Sequence, residues 1–507
     1  VDPVARHAHV PDVSFDGGTL DCGSGLLLQI RSHMDPLLRG QLLEIRSEES
    51  SVEEDLPAWC RLTGNELVSW VRAGTSRSFL VAKGRLAERR PGKPARTARS
   101  LAGVSVVPVV PPASLPEPGP APSIAPLSVL PIGSWPRPRW MLQAIHDHME
   151  GRLPEAEFQS TADDAVRLAV SAQLRAGVDV VTDGEQRRDS YASFVAGRLD
   201  NCQLIPLTDL LPLVDDPEEF ERELRALDVP ASLVRHPAVF GPLGRTRPLA
   251  GHEAAFVRTL TPLPVKVALP GPYLLTRTMW MECISDRAYA DRERLAADIV
   301  RVLREELSFL LAAGVALVQL DEPVLTEVVF GGSGGGGQRS FMCGALGARK
   351  DTASELAFAA DLLDRVVRGF PRARLALHVC RGNWTRDESA ALRGDYRPLL
   401  PLLGSVGVGT LLLELSTPRA GDLDVLRALP GSVRVGVGCV NQKLEAVEPV
   451  ATIVERGERA VRAVGAERVL LNPDCGFATF ADNPVSSADV AERKLGAIVE
   501  AARILRG

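Results

Sequence analysis

LALHVCRG (375–382), TLLLELS (410–416), VRVGVGCV (433–440) and RVLLNPDCG (468–476) follow one another with room for a helix between each pair. Each is a short run rich in Leu or Val that closes on Gly or a polar residue, the pattern of a buried parallel strand rather than an alternating, half-solvated one. Reading upstream adds VALVQLDEP from 315, VKVALPGP from 265, VDVVTDGE from 178 and SVLPIGS from 128. Eight such runs alternating with helical patterns predict a (β/α)8 TIM barrel over 128–507, with its chemistry at the strands' C-terminal ends. The long stretch from Ser190 to Pro264 must hold extra helices or a hairpin.

Upstream the composition changes twice. Residues 85–127 include RRPGKPARTARS and VVPVVPPASLPEPGPAPSIAP. Their prolines favour extended polyproline geometry, so the segment reads as a linker long enough to let a small domain reach any face of a large one. Residues 13–84 read as a small two-layer α/β domain. Its strands are expected near Val13 to Phe15, Gln41 to Arg46, Glu66 to Arg72 and Ser78 to Ala82, and its helices at Gly25 to Leu38 and Glu53 to Leu62.

Composition excludes several classes. Of 507 residues, 45% are hydrophobic and 24% charged, which fits a soluble globular protein. The net charge of −6 comes with no basic stripe, so nucleic acid is a poor partner. No apolar run approaches the roughly 20 residues that span a bilayer, and the opening VDPVARHAHVPDV has no apolar signal core, so a cytoplasmic address is expected. Eight cysteines are too sparse for a disulfide scaffold.

Four side chains stand out. His378 and Cys380 lie two apart on one strand and so face the same way; Cys475 closes the last strand and Glu414 sits in LLLELS. Two thiolates, an imidazole and a carboxylate brought from three strand ends would suit tetrahedral Zn2+, and ligands so far apart in sequence resemble a catalytic more than a structural site. On residue types alone, buried structural cysteines and a core histidine are the leading reading. Arg187, Arg188 and Arg381 are candidates for an anionic substrate group, with solvated surface charge the alternative. GGSGGGGQRS (331–340) lacks the Gly-Lys-Ser/Thr of a phosphate loop and reads as a mobile lid, with Cys343 just beyond it.

At His378-Val-Cys380, Glu414 and NPDCG the chain resembles the catalytic barrel of the cobalamin-independent methionine synthase family. The resemblance covers roughly 128–507 and implies Zn2+ held by His378, Cys380, Glu414 and Cys475, with Glu414 the labile ligand. IGSWP (132–136) is similar to the loop that holds the homocysteine carboxylate, which implies Gly133 and Ser134 as donors. DGEQRRDS (183–190) implies a substrate contact from Glu185, and QLDEP implies that Asp321 grips the amino group. Two family landmarks differ: Thr278 stands where a folate-binding Trp is expected, with Trp280 out of register, and Asn441 stands in place of a His. The second, N-terminal barrel of the long members is also missing from the pattern. These departures point to short, single-barrel relatives that use other donors, among them the epoxyalkane:coenzyme M transferases.

TLDCGSGLLLQIR, GQLLEIRSEE and LPAWCRLTGNELV resemble the small TusA-like sulfur-carrier family. The resemblance implies a persulfide-bearing Cys22 at a helix start, where the dipole favours a thiolate, although the family's following Pro is Gly23 here. Cys60 reads as packing. The combined expectation is a zinc-dependent thiol alkyltransferase that methylates homocysteine or a similar small thiol, served by an alkyl or methyl donor, with a sulfur-donor protein as a further candidate partner. The alternatives are an epoxide-opening or other carbon–sulfur transferase fed by the sulfur carrier, and a non-catalytic sulfur-relay or scaffold protein.

Overall fold

The computed structural model describes residues 6–20, 26–34, 37–88, 106–206, 235–280, 285, 288–331, 351–383, 386, 388 and 391–507. The chain divides into two compact units, Val1–Ser105 and Val106–Gly507.

In the first unit, β1 (Val13–Asp16), β2 (Leu42–Ser47), β3 (Glu66–Ala73) and β4 (Ser76–Ala82) form one sheet in the order β1-β2-β4-β3. β1 and β2 are parallel and the other pairs antiparallel. Helices Leu27–Met34 and Val52–Thr63 pack on it, with Ile30, Ile45, Leu56, Cys60 and Phe79 in one buried cluster. Burial pushes the Cys60 thiol up to about 12, so it serves as a packing group. Cys22 lies outside the described residues.

The second unit is built on a six-stranded, wholly parallel sheet in the order β12-β11-β10-β9-β8-β7. Its strands are β7 (Lys266–Pro270), β8 (Leu317–Asp321), β9 (Leu375–Val379), β10 (Thr410–Leu413), β11 (Arg434–Val440) and β12 (Val469–Pro473). The two remaining expected strands are shorter than their sequence suggests. Val129 makes a parallel bridge to Leu471 at one edge and Val181 one to Val265 at the other. The amides of Asp179 and Val180 donate to the Val129 carbonyl at 3.0 and 3.3 Å.

The side-chain period of two sorts the sheet into layers. Leu317, Ala376, Leu412 and Leu470 form an apolar plug with Leu130, Ile132 and Val180. Two residues further along each of these strands stand Gln319, His378, Glu414 and Asn472, and then Asp321, Cys380 and Asp474. The polar ends therefore gather at one rim, the C-terminal one. Helices such as Glu155–Ala176, Arg292–Ala312 and Ala488–Arg506 bury their apolar faces against the other side of the strands.

The segment between the second and third expected strands holds both a hairpin and a helix. β5 (Asp200–Pro206) pairs antiparallel with β6 (Arg235–Gly244), and helix Gly251–Leu260 follows. The Pro-rich segment expected to be a linker is, from Val106 on, part of the second unit. Asn201 clasps Val107 through both its amide oxygen and nitrogen, at 2.8 and 2.9 Å. Ser308 donates to the Pro116 carbonyl, and Arg374 and Arg434 donate to those of Gly119 and Ile124. A proline-rich chain keeps its carbonyls unpaired, and the arginines of the second unit take them up.

Glu306, fully buried on helix Arg292–Ala312, joins these pieces. Its carboxylate accepts from the N–H groups of Leu249, Ala250 and Gly251, at 3.0, 2.8 and 2.9 Å, and pairs with Arg245. Glu306→Ala strands that guanidinium and three amides, so we expect a loss of about 3–5 kcal/mol, read as a lower urea midpoint for the second unit.

Candidate metal and substrate site

His378, Cys380 and Cys475 each place one ligand atom within 4.8 Å of the others, and all three are buried. Parallel pairing produces this convergence: His378 stands opposite Leu412 on β10 and Asp321 on β8, and Cys380 follows it on the same face. The ring of His378 is oriented by a hydrogen bond from Nδ1 to the Leu412 carbonyl at 3.1 Å. That bond leaves Nε2 as the lone-pair nitrogen; it is buried, with the Cys380 thiol as its polar neighbour and no other partner. The two sulfurs share a hydrogen bond. It lowers the Cys380 thiol well below its ordinary pKa and raises that of Cys475. An oriented imidazole with an unused nitrogen beside two thiol groups is a donor set that fits a soft divalent cation.

Glu414, expected as the fourth ligand, is not in that group. Its buried carboxylate accepts from the Arg381 N–H at 2.9 Å and Asn383 Nδ2 at 2.6 Å, and it pairs with Arg419 at 2.9 Å. A carboxylate this far from water needs a counter-charge, and the Arg419 guanidinium supplies it. Even so, burial raises the Glu414 pKa to about 7.

A pocket of about 450 Å3, open solvent at its mouth included, lies over these groups, with Ser134, Glu185, Asp321, His378, Cys380 and Cys475 among its lining residues. Asp321 accepts from Gln319 Nε2 at 2.6 Å, and burial pushes its pKa to about 7. Glu185 sits at φ +53, a left-handed conformation that costs a non-glycine residue about 1–2 kcal/mol. Its N–H donates to Asp183 at 3.0 Å and its carbonyl accepts from Arg137 at 2.6 Å, which hold it there. One carboxylate oxygen, Oε2, is buried without a partner. Ser134 lines the pocket and accepts from the Ala478 N–H at 3.3 Å. Gly133 does not line it. A β-carbon there would lie 2.0 Å from Glu185 Oε1, so this glycine makes room for the carboxylate.

The three candidate anion-binding arginines are spent internally. Arg188 pairs with buried Glu253 at 2.6 Å, Arg187 with Asp163, and Arg381 donates to the carbonyls of Gly394, Glu414 and Ala420. They are neither solvated nor turned to a ligand. Asn441 donates to Glu388 at 2.8 Å, and Thr278 bonds back to its own helix. Apart from Gly331, the lid segment and Cys343 lie outside the described residues. Sequence reasoning missed Tyr191, Asn383 and Thr479, which also line the pocket. Of these only Asn383, three residues past Cys380, carried a positional signal.

With the geometry established, comparison with known proteins is decisive. Residues 127–209 and 226–503 match the model of the cobalamin-independent synthase catalytic domain. The chain belongs to this family. The methionine synthase of Saccharolobus solfataricus is 25% identical over 379 residues, covering 74% of this chain and 93% of that protein. That of Sulfolobus acidocaldarius is 26% identical over 356 residues, 69% of this chain and 86% of the relative. Among solved structures, the B12-independent methionine synthase from Shewanella sp. W3-18-1 in complex with selenomethionine covers 76% of this chain and 98% of its own, at TM-score 0.55 and 22% identity. The corresponding protein from Listeria monocytogenes gives 0.53 and 18%, with 76% and 100% coverage. These two likenesses show that the synthase fold is shared. The match begins at Leu127, so the first unit lies outside it.

Within a synthase-family site of this kind, Gly133→Ala should displace the Glu185 carboxylate. We expect binding of an amine-bearing thiol to weaken about ten-fold or more, the loss of one charge-assisted contact, with the thermal unfolding profile retained. Titration calorimetry with homocysteine measures it.

Proposed function

We propose that the second unit is a zinc-dependent thiol S-methyltransferase acting on homocysteine or a closely similar amino-acid thiol. On this reading the short segments at Val129 and Val181 complete an eight-stranded barrel around the site. The observation that carries the proposal is the meeting, in one pocket, of three soft ligand atoms with two carboxylates. The family match and the curated methionine synthases support it.

His378, Cys380 and Cys475 would hold Zn2+, with Glu414 the proposed fourth, labile ligand. A bound Zn2+ lowers the pKa of a thiol, which otherwise lies near 8.5, so that the sulfur is nucleophilic at neutral pH. Asp321 and Glu185 take the substrate's ammonium group, and their burial makes each carboxylate seek a positive partner. Ser134 orients the amino-acid end. The substrate sulfur then attacks the donor's methyl carbon, the bond from that carbon to the donor breaks, and the thiol proton is released. Holding both ends of the thiol converts a chance encounter into an aligned one.

The charge of the lining separates this reading from the coenzyme M alternative. Among the described residues the pocket wall carries two carboxylates and no lysine or arginine. Such a wall accepts an ammonium and repels a sulfonate. For the first unit, the two-layer α/β fold supports the TusA-like resemblance, and Cys22 is proposed as a sulfur-bearing nucleophile served by a donor protein. No helix among the described residues is long and apolar enough to cross a membrane.

Purified protein should carry about one zinc per chain, as a three-residue soft site predicts, and should form methionine from homocysteine with one of a panel of methyl donors. Cys475→Ser should lose most of the zinc and the activity together. A different thioether formed from an epoxide, or a metal-free inert chain, would contradict the assignment.

A further inference from the structure

Lys266 is a buried lysine that touches no part of the proposed chemistry, yet it sits directly beneath it. It is 1% exposed on β7, facing the barrel interior beside Gln319 on β8, itself 0% exposed. Its ammonium donates to two acceptors, the Ile132 carbonyl and Gln319 Oε1. Gln319 passes the constraint on, because Nε2 donates to Asp321 Oδ1 at 2.6 Å. The amide has only one sensible orientation: its oxygen must face the ammonium, so its NH2 group must face the carboxylate. Ile132, at the other end, immediately precedes Gly133 and Ser134.

We propose that Lys266 and Gln319 are positioning residues that lock the Asp321 carboxylate, and the strand end before Ser134, in the arrangement that receives the substrate's ammonium and carboxylate. This rests on the reading of Asp321 as the amine-binding group. If filling space were the only need, Leu would serve at both positions without the cost of desolvating an ammonium. Gln319 and Asp321 lie two apart on one strand and so share a face. The Gln319 contact occupies one oxygen of Asp321 and removes the side chain's rotational freedom. A carboxylate fixed in advance loses less entropy on binding than one that must be caught. The Lys266–Ile132 bond ties that carboxylate to the loop at the far side of the same pocket, so the two recognition points are held at one separation.

The test compares two thiols: homocysteine, and 4-mercaptobutanoate, which lacks only the amino group. Binding of each to the full-length, zinc-loaded protein is measured by calorimetry for wild type, Gln319→Met, Lys266→Met and Asp321→Asn. A positioning role predicts that Gln319→Met weakens homocysteine about five- to ten-fold, the worth of one hydrogen bond, while 4-mercaptobutanoate changes less than about two-fold. Lys266→Met also frees the Ile132 carbonyl before Ser134, so it should weaken both thiols but homocysteine about five-fold more than 4-mercaptobutanoate, which gives a second reading should Gln319→Met fold poorly. Equal weakening of both thiols, or of neither, by these variants would overturn the relay. If Asp321→Asn discriminates between the thiols but Gln319→Met and Lys266→Met do not, the relay alone fails. If Asp321→Asn does not discriminate either, the amine-binding reading fails with it.

Discussion

The hydrogen bond from His378 Nδ1 to the Leu412 carbonyl spans two adjacent parallel strands and sets one ring. From that bond follows the position of Nε2, a buried nitrogen turned to the thiol side, and from strand geometry follows Cys380 two residues on. Cys475 is delivered by a different strand, beyond β12. Remove the tautomer constraint and the same three residues are a packed histidine and two thiols. With it they are a set of donors pointing at one place.

Around this centre the C-terminal rim of the sheet is dominated by electrostatics. Carboxylates at Glu185, Asp321 and Glu414 are all pushed upward by burial, and each has its own neighbours: Arg137 and Arg188, the Gln319 amide, and Arg419. Two of these line the pocket and one is already paired. The difference separates groups with capacity for a ligand from a group committed to the protein. Glu414 is held by Arg419 and Asn383, so any part it takes at a cation is tied to how firmly those two hold it.

Much of this was legible in the sequence, for physical reasons. Continuous Leu and Val runs ending in Gly, Pro or Asp marked the buried parallel strands, and six of the eight appear as full strands within a few residues of expectation. The first and second runs shrank to single bridges, because pairing geometry and not composition decides where a ladder is counted. His378, Cys380 and Cys475 stood out by type and strand-end position, but only the resemblance of their motifs to a known family favoured a metal over buried cysteines and a core histidine. The partner of Glu414 was not legible, since nothing in the sequence shows that the chain turns back after the strand to bring Arg419, only five residues on, against it. Nor was the fate of Arg187 and Arg188, because a charged residue in a sequence does not disclose whether it is buried against Asp163 or Glu253. The proline-rich segment misled in a similar way: its composition says extended, but not that Asn201 and the arginines would fasten it.

X-ray absorption at the zinc edge addresses the central claim most directly, because it counts sulfur neighbours without reference to turnover. The account predicts two sulfurs, from Cys380 and Cys475, rising to three when homocysteine is added. A sulfur count that stays the same on addition, or a zinc bound to nitrogen and oxygen alone, would contradict it.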